Sequence, residues 1–242
     1  MNNYLFFLEQ VGEYVILIPA LLGTCLSLTG RQAKLRVVEL WGPRLQALIG
    51  GIGVIIHELS HLIVAVIFGH HINHVTLLHI PNPRDPSDTG LGVVNHAWNN
   101  HNWYQKMGNF FIGIAPLLGC TLVLWAITNW LCPFLLVDLA LPTYGSAPVS
   151  WWRLLLWLFL TFNISVGGFD LSGADFHNSL MGVGTLIIVI LFITLALAIT
   201  MNPEAFHTQL IATMKTVYLI MAFSLACNLG WIGLLAIVKH CR

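Results

Sequence analysis

The residues best suited to chemistry in this chain form the stretch His57-Glu58-Leu59-Ser60-His61, which has the pattern H-E-x-x-H. On a helix, positions i and i+4 lie on one face a turn apart, so both imidazoles can bind the same metal ion. Glu58 would then lie beside that ion, where its carboxylate can act as a general base towards water. This pattern is typical of half of a hydrolytic site that binds one Zn²⁺ per chain.

The motif lies within an apolar run from Leu45 to Phe68, which is long enough to cross a membrane. A carboxylate at the centre of such a helix costs about 2.5 to 3.5 kcal/mol, so Glu58 needs a compensating partner. A metal ion with its bound water would be such a partner. The alternative is a polar cluster between helices that holds no metal.

A catalytic Zn²⁺ usually has three protein ligands and one open position, so His57 and His61 need a third partner. Two carboxylates, Asp170 and Asp175, lie in a polar interruption of the apolar sequence between Asn163 and Asn178. Irregular backbone at membrane depth is tolerated where it is buried in protein or lines a wet cavity. Three glycines would allow the break: Gly167, Gly168 and Gly173. The alternative is an ordinary polar loop outside the membrane.

The elements that must position these residues are predicted to lie in lipid. Hydrophobic residues make up 57% of the 242-residue chain and charged residues 8%, whereas about a quarter of a typical soluble protein is charged. A soluble cytosolic enzyme is therefore excluded. The formal net charge is zero and no basic block is present, which argues against nucleic-acid binding. Five scattered cysteines without a C-x-x-C pair indicate neither a disulfide framework nor a thiolate metal site.

The hydropathy pattern predicts an all-α polytopic membrane protein, a single domain over residues 1–242, located in the cell membrane. A span needs about 20 apolar residues. About six segments meet this requirement, the first and fourth least clearly: Val11 to Leu28, Leu45 to Phe68, Phe110 to Leu131, Trp151 to Val166, Leu180 to Met201 and Val217 to Val238.

The sizeable polar segment between the second and third spans is predicted to form a β-hairpin. Its halves, His74 to Ile80 and Gly90 to Trp98, have strand-like character and flank a turn-rich stretch from Pro81 to Gly90. Six histidines cluster in this region, and their role stays open between a second metal site, a pH sensor and an amphipathic surface: His70, His71, His74, His79, His96 and His101.

Orientation in the membrane follows the basic residues of short loops. Four of them are predicted to lie in the first loop, which favours a cytoplasmic loop and an outside N-terminus: Arg31, Lys34, Arg36 and Arg44. Asn163, in the fourth span, is open to two interpretations. It could hydrogen-bond substrate if that span faces a cavity, or it could join two helices within the protein.

Together these features resemble the site-2 protease family of intramembrane zinc metalloproteases, in particular its small bacterial members without a PDZ domain. The resemblance rests on the zinc motif inside a span, the distant Asp in a Gly-containing break, and Gly113-Ile-Ala-Pro-Leu-Leu-Gly119 in the third span. It covers most of the chain, from about Leu45 to Met201, although only the zinc motif is highly specific.

The resemblance bears on the choice of third ligand. The family motif N-x-x-P-x-x-x-L-D-G is not matched well after Asn163, because Val166 replaces the proline and the spacing to Asp170 is one residue short. A divergent form, S-x-x-D with a later glycine, fits Ser172 to Asp175 better. The resemblance therefore favours Asp175 as third ligand, with Asp170 as the alternative.

The activity implied by the resemblance is hydrolysis of a peptide bond in or next to a transmembrane helix of a membrane-protein substrate. Glu58 would be the catalytic base, Zn²⁺ the cofactor, and the hairpin a surface that binds the unwound substrate as an added strand. The alternatives are a non-catalytic zinc-binding membrane protein and a metal or proton transporter that uses the same polar residues.

Overall fold

The computed structural model describes residues 3–82, 90–137 and 150–241, and in these ranges the chain is helical apart from one small sheet and the connections between elements. The helices are α1 (Asn3–Gln10), α2 (Ile18–Trp41), α3 (Pro43–Ile67), α4 (Trp103–Leu131), α5 (Phe134–Val137), α6 (Trp151–Gly168), α7 (Gly173–Thr200) and α8 (Pro203–His240). A π-helical segment, Val11–Leu17, joins α1 to α2, and the strands are β1 (His71–Thr76) and β2 (Val93–Ala97).

Within the described residues, five helices are long and apolar enough to cross a membrane: Asn3–Trp41, Pro43–Ile67, Trp103–Leu131, Gly173–Thr200 and Pro203–His240. They coincide with five of the six predicted spans, which confirms an all-α polytopic fold with a small β insertion. The fourth predicted span forms α6, which has 18 residues and is shorter than each of the five. α6 is not among the five, which agrees with its weak sequence signal.

The predicted first loop is wrong, because α2 continues to Trp41 and only Gly42 separates it from α3. The stretch Arg31-Gln-Ala-Lys-Leu-Arg36 consists of strong helix formers, so polarity alone did not end the helix. Gly42 has φ 86°, a left-handed conformation that favours glycine, and Pro43 then occupies the first turn of α3. The basic residues assigned to a loop lie on helices instead.

The π-helical segment is explained by Pro19, which follows it after a single residue, Ile18. The N–H of Ile18 donates to the carbonyl of Glu13, an i→i+5 bond, so the next carbonyl, that of Tyr14, would need a donor at position 19. Proline has no N–H, and the Tyr14 carbonyl instead accepts a hydrogen bond from the hydroxyl of Tyr218 on α8. This bond ties the first long helix to the last one.

The helix that carries the H-E-x-x-H motif packs against α4 and α6, while α4 also packs against α7 and α2 packs against α8. α3 approaches α6 very closely because glycines face each other. A Cβ on Gly167 would lie 1.9 Å from the carbonyl oxygen of Gly50, and one on Gly53 would lie 2.6 Å from the amide nitrogen of Gly168. Small residues permit such contact between helices in a membrane.

Asn163 joins these two helices, as one of the two interpretations from the sequence predicted. Its side-chain oxygen accepts from the N–H of Ile52 at 2.9 Å and from that of Gly53 at 3.3 Å, and its amide group donates to the carbonyl of Leu48 at 3.3 Å. The buried amide therefore stabilises the glycine contact.

The predicted hairpin is confirmed, with strands shorter than expected. β1 and β2 are antiparallel, Val75 pairs with Val94, and the register shifts between Ile72 and His74. The first strand begins at His71, ahead of the predicted His74. Most of the predicted turn, residues 83–89, lies outside the described residues.

Replacing Tyr218 with Phe is expected to lower the free energy of unfolding by about 1 to 3 kcal/mol, because the Tyr14 carbonyl loses its donor where no helix N–H can replace it. The measurement is denaturant unfolding in detergent, followed by circular dichroism. Tyr4→Phe is the matched control, since the Tyr4 hydroxyl makes no comparable contact with α8. Equal stability of the two variants would contradict the proposed tie.

Candidate metal centre

The two imidazoles of the motif are oriented by backbone carbonyls on different helices. Nδ1–H of His57 donates to the carbonyl of Gly168 at 2.9 Å, and Nδ1–H of His61 donates to the carbonyl of Ile112 at 2.8 Å. A carbonyl can only accept, so in each neutral ring the proton is on Nδ1 and the lone pair is on Nε2. This is the usual arrangement for a histidine that binds metal through Nε2.

Asp175 is held beside these rings by the start of α7. Ser172 precedes the helix, and its hydroxyl accepts from the N–H of Asp175 at 3.2 Å, while Oδ2 of Asp175 accepts from the N–H of Ser172 at 2.7 Å. This reciprocal pair is a capping box, which fixes the side chain of its third helical residue. Oδ1 of Asp175 lies 3.1 Å from Nε2 of His61.

His57, His61 and Asp175 form a buried group that could hold a metal ion. Their ligand atoms lie within 4.8 Å of one another, and the Nε2 atoms of the two histidines are 3.2 Å apart. Oδ2 of Asp175 lies 3.8 Å from Nε2 of His57. Two free lone pairs and a carboxylate converging in one buried place fit a divalent cation, which would compensate the cost of burying them.

The structure brings Asp175, and not Asp170, to the two histidines. Asp170 lies in the connection between α6 and α7, and its Oδ2 pairs with Nζ of Lys34 on α2 at 3.0 Å. The neighbouring N–H of Leu171 donates to the hydroxyl of Ser27, also on α2, at 3.1 Å. The connection is therefore anchored to α2, and the Asp170 carboxylate is paired there.

Glu58 lies beside this group in a shared cavity. The cavity has a volume of about 290 Å³ and is lined by the motif residues, Asp175 and residues of β2. Glu58 and His57 also border a second cavity of about 710 Å³, which is lined in part by Arg31, Lys34 and Asp170. Glu58 is thus at the junction of both cavities, although its side chain is mostly buried.

Gly92, just before β2, passes directly over Glu58. A Cβ at this position would lie 2.6 Å from Cγ and 2.9 Å from Oε1 of Glu58. A side chain at this position would therefore displace the Glu58 carboxylate from its place in the cavity. The hairpin is therefore part of the wall of the site.

Two of the clustered histidines form a defined pair. His70 Nε2–H donates to the carbonyl of Gln105 at 2.9 Å, so its Nδ1 accepts from Nδ1–H of His96 at 3.0 Å. His96 lines the same cavity as Glu58. Burial, chiefly, and the charges of His70 and His61 lower the pKa of His96 to about 4, so its ring is neutral at pH 7, with the lone pair on Nε2.

Sequence reasoning missed the groups that orient the site. The carbonyls of Gly168 and Ile112 and the backbone at Gly92 carry no side-chain signature of their own. Two signals were nevertheless present in the sequence. Ser172-Gly-Ala-Asp175 is a capping-box pattern, and Pro116 follows Ile112 by four residues, where a helix loses one N–H donor.

The part of the chain that the structure describes is a helical protein that combines five helices long and apolar enough to cross a membrane with a buried group that could hold a metal ion. No known protein family, curated protein or solved structure matches it.

Purified in detergent, the protein is expected to contain about one divalent metal ion per chain, held by the two histidines and Asp175. Asp175→Ala should lose the ion because a ligand is removed. Asp170→Ala is the matched control and should keep it, because Asp170 pairs with Lys34. Elemental analysis of monodisperse preparations makes the comparison, and loss of metal from Asp170→Ala alone would show that the third ligand is misassigned.

Proposed function

We propose that this protein is an intramembrane zinc metalloendopeptidase that hydrolyses peptide bonds in or near transmembrane segments of membrane-protein substrates. The observation that carries the proposal is the position of Glu58. Its carboxylate shares a cavity with His57, His61 and Asp175, on a helix apolar enough to cross a membrane. A site that only stored or transported metal has no need of a base beside its first ligand.

Zinc is proposed from the donor set. Two imidazoles with one carboxylate occur at catalytic Zn²⁺ sites in proteins, and three protein ligands leave one coordination position open. His57, His61 and Asp175 would hold the ion, and the carbonyls of Gly168 and Ile112 would keep the two rings in the tautomer that binds it. When bound, Zn²⁺ acts as a Lewis acid that polarises a carbonyl and lowers the pKa of water to about 7.

The proton transfers are proposed to belong to Glu58. Its carboxylate takes the proton of the attacking water and delivers it to the nitrogen of the leaving amine. Burial between α3 and Gly92 restricts the side chain to one small region, so little freedom has to be lost at the moment of reaction.

Hydrolysis within a membrane also requires a supply of water. The second cavity, of about 710 Å³, reaches Glu58 and His57 from a wall that includes charged side chains of α2. A cavity of this size, with charged side chains in part of its wall, has room for many water molecules. We propose it as the route by which water reaches the site.

Replacing Glu58 with Gln is expected to reduce cleavage of a membrane-embedded substrate by about 10²- to 10⁴-fold, because the amide cannot accept the proton. The zinc content should stay unchanged, since Glu58 is not one of the ligands. The measurement pairs elemental analysis with a cleavage assay in proteoliposomes.

Glu13→Gln is the control for this experiment, because Glu13 is an exposed carboxylate of the first long helix. Full cleavage by Glu58→Gln would refute the enzyme proposal. Zn²⁺ flux across the vesicle membrane that survives the substitution would favour the transporter alternative.

The substrate is proposed to bind as a third strand along β2. The described sheet has two strands, so the second edge of β2 has no partner strand there. Val93, Val94, Asn95 and His96 line the cavity that contains Glu58. Because every amide of a transmembrane helix is already hydrogen-bonded, a scissile segment must unwind, and a strand edge would supply new partners for its backbone.

A proline scan of the hairpin tests this role. Successive residues of an antiparallel strand direct their N–H groups alternately to the partner strand and away from it. Proline at Val93 or at Val94 must therefore remove one outward N–H, and that variant is expected to raise KM by about three- to tenfold. The matched controls are proline at the paired β1 residues Thr76 and Val75. Equal effects in both strands would reject the added-strand proposal.

A further inference from the structure

Pro116 lies inside α4, buried, and four residues after Ile112. In an α-helix the carbonyl of residue 112 accepts from the N–H of residue 116, but proline has no N–H. The Ile112 carbonyl is thus left without its helical donor in a buried place, where a missing partner is costly. Nδ1–H of His61 takes that role at 2.8 Å.

The same device occurs a second time in this chain, away from the metal centre. Pro19 leaves the Tyr14 carbonyl without a helical donor, and the hydroxyl of Tyr218 on another helix donates to it. In both cases a proline inside a helix leaves one carbonyl without an N–H donor, and a side chain from a neighbouring helix donates a hydrogen bond to that carbonyl. The two cases differ in what the side chain does, because His61 is a candidate metal ligand and Tyr218 is not.

α4 also sets the distance to the third ligand. A Cβ on Gly113 would lie 2.3 Å from the carbonyl oxygen of Asp175 and 2.1 Å from the hydroxyl of Ser179, so α7 packs directly against the residue that follows Ile112. One short stretch of α4, from Ile112 to Pro116, therefore contacts the segment that carries Asp175 and orients the ring of His61.

We infer that Pro116 is a positioning residue for the metal centre: by leaving the Ile112 carbonyl free, it holds His61 in the Nδ1–H tautomer with Nε2 directed to the ion. With an alanine at 116, the restored N–H would compete for the same carbonyl. His61 would then lose its orienting partner, and the binding of metal would weaken. This inference rests on the proposed function, because it requires the three-residue group to bind metal.

The experiment measures Zn²⁺ affinity by chelator competition, and the d–d absorption of the Co²⁺-substituted protein, for the wild type and two variants at position 116. Pro116→Ala restores the N–H. Lactic acid at 116, incorporated by nonsense suppression, has the side chain of alanine but an ester oxygen in place of the N–H. Loss of an orienting partner typically costs about 10- to 100-fold in metal affinity, so Pro116→Ala should show this loss and the lactic acid variant should bind like the wild type.

If the role of the proline were purely structural, Pro116→Ala would lose stability together with metal affinity. If the proline positions His61, stability should not fall, because removing proline from a helix interior removes a strain and makes the variant at least as stable as the wild type. Reduced affinity without reduced stability, together with a changed Co²⁺ spectrum, supports positioning. Pro19→Ala is the matched control, since it restores the donor to the Tyr14 carbonyl and should leave metal affinity unchanged.

The outcomes separate the inference from the proposed function. Wild type without metal overturns both. Metal bound equally by wild type and Pro116→Ala overturns only the inference, and so does an equal loss in the alanine and lactic acid variants. If Pro116→Ala does not fold, ¹⁵N-histidine NMR of the metal-free wild type decides, because the inference requires the proton of His61 on Nδ1 and is overturned if it lies on Nε2.

Discussion

The close contact between α3 and α6 is the constraint on which the site depends. Glycines on both helices bring the two backbones together, and a single methyl group on Gly53 or Gly167 would overlap the opposite backbone. Because the contact is so short, the carbonyl of Gly168 at the end of α6 reaches Nδ1 of His57. Asp175 is placed by a different contact, because Gly113 of α4 packs directly against the first turns of α7.

Backbone carbonyls, more than side chains, organise this centre. Each imidazole is oriented by one carbonyl of a neighbouring helix, and both carbonyls are available for a local reason. Gly168 is the last residue of α6, so its carbonyl has no partner further along that helix. Ile112 lies within α4, but Pro116 supplies no N–H to it. In a membrane a carbonyl without a donor is costly. Here each of the two carbonyls accepts from an imidazole N–H, and these hydrogen bonds orient the rings of His57 and His61.

The hairpin and the α6–α7 connection form the two sides of the cavity around Glu58. Gly92 brings the backbone before β2 onto the carboxylate, while Lys34 and Ser27 of α2 hold the connection that carries Asp170. Asp170 is therefore paired with Lys34 on the side of the larger cavity, whereas the capping box holds Asp175 beside the two histidines. This separation of Asp170 from Asp175 gives two neighbouring carboxylates different partners.

The sequence by itself determined the membrane class, the hairpin, and the pairing of His57 with His61, because these depend on hydropathy and on the helical repeat. It left Asp170 and Asp175 as alternatives and placed the basic residues around Lys34 in a loop. Only the tertiary structure shows that Asp175 lies beside the two histidines while Asp170 pairs with Lys34, since both contacts depend on which helices touch. No local pattern states that Lys34 meets Asp170, or that the carbonyl left free by Pro116 faces His61.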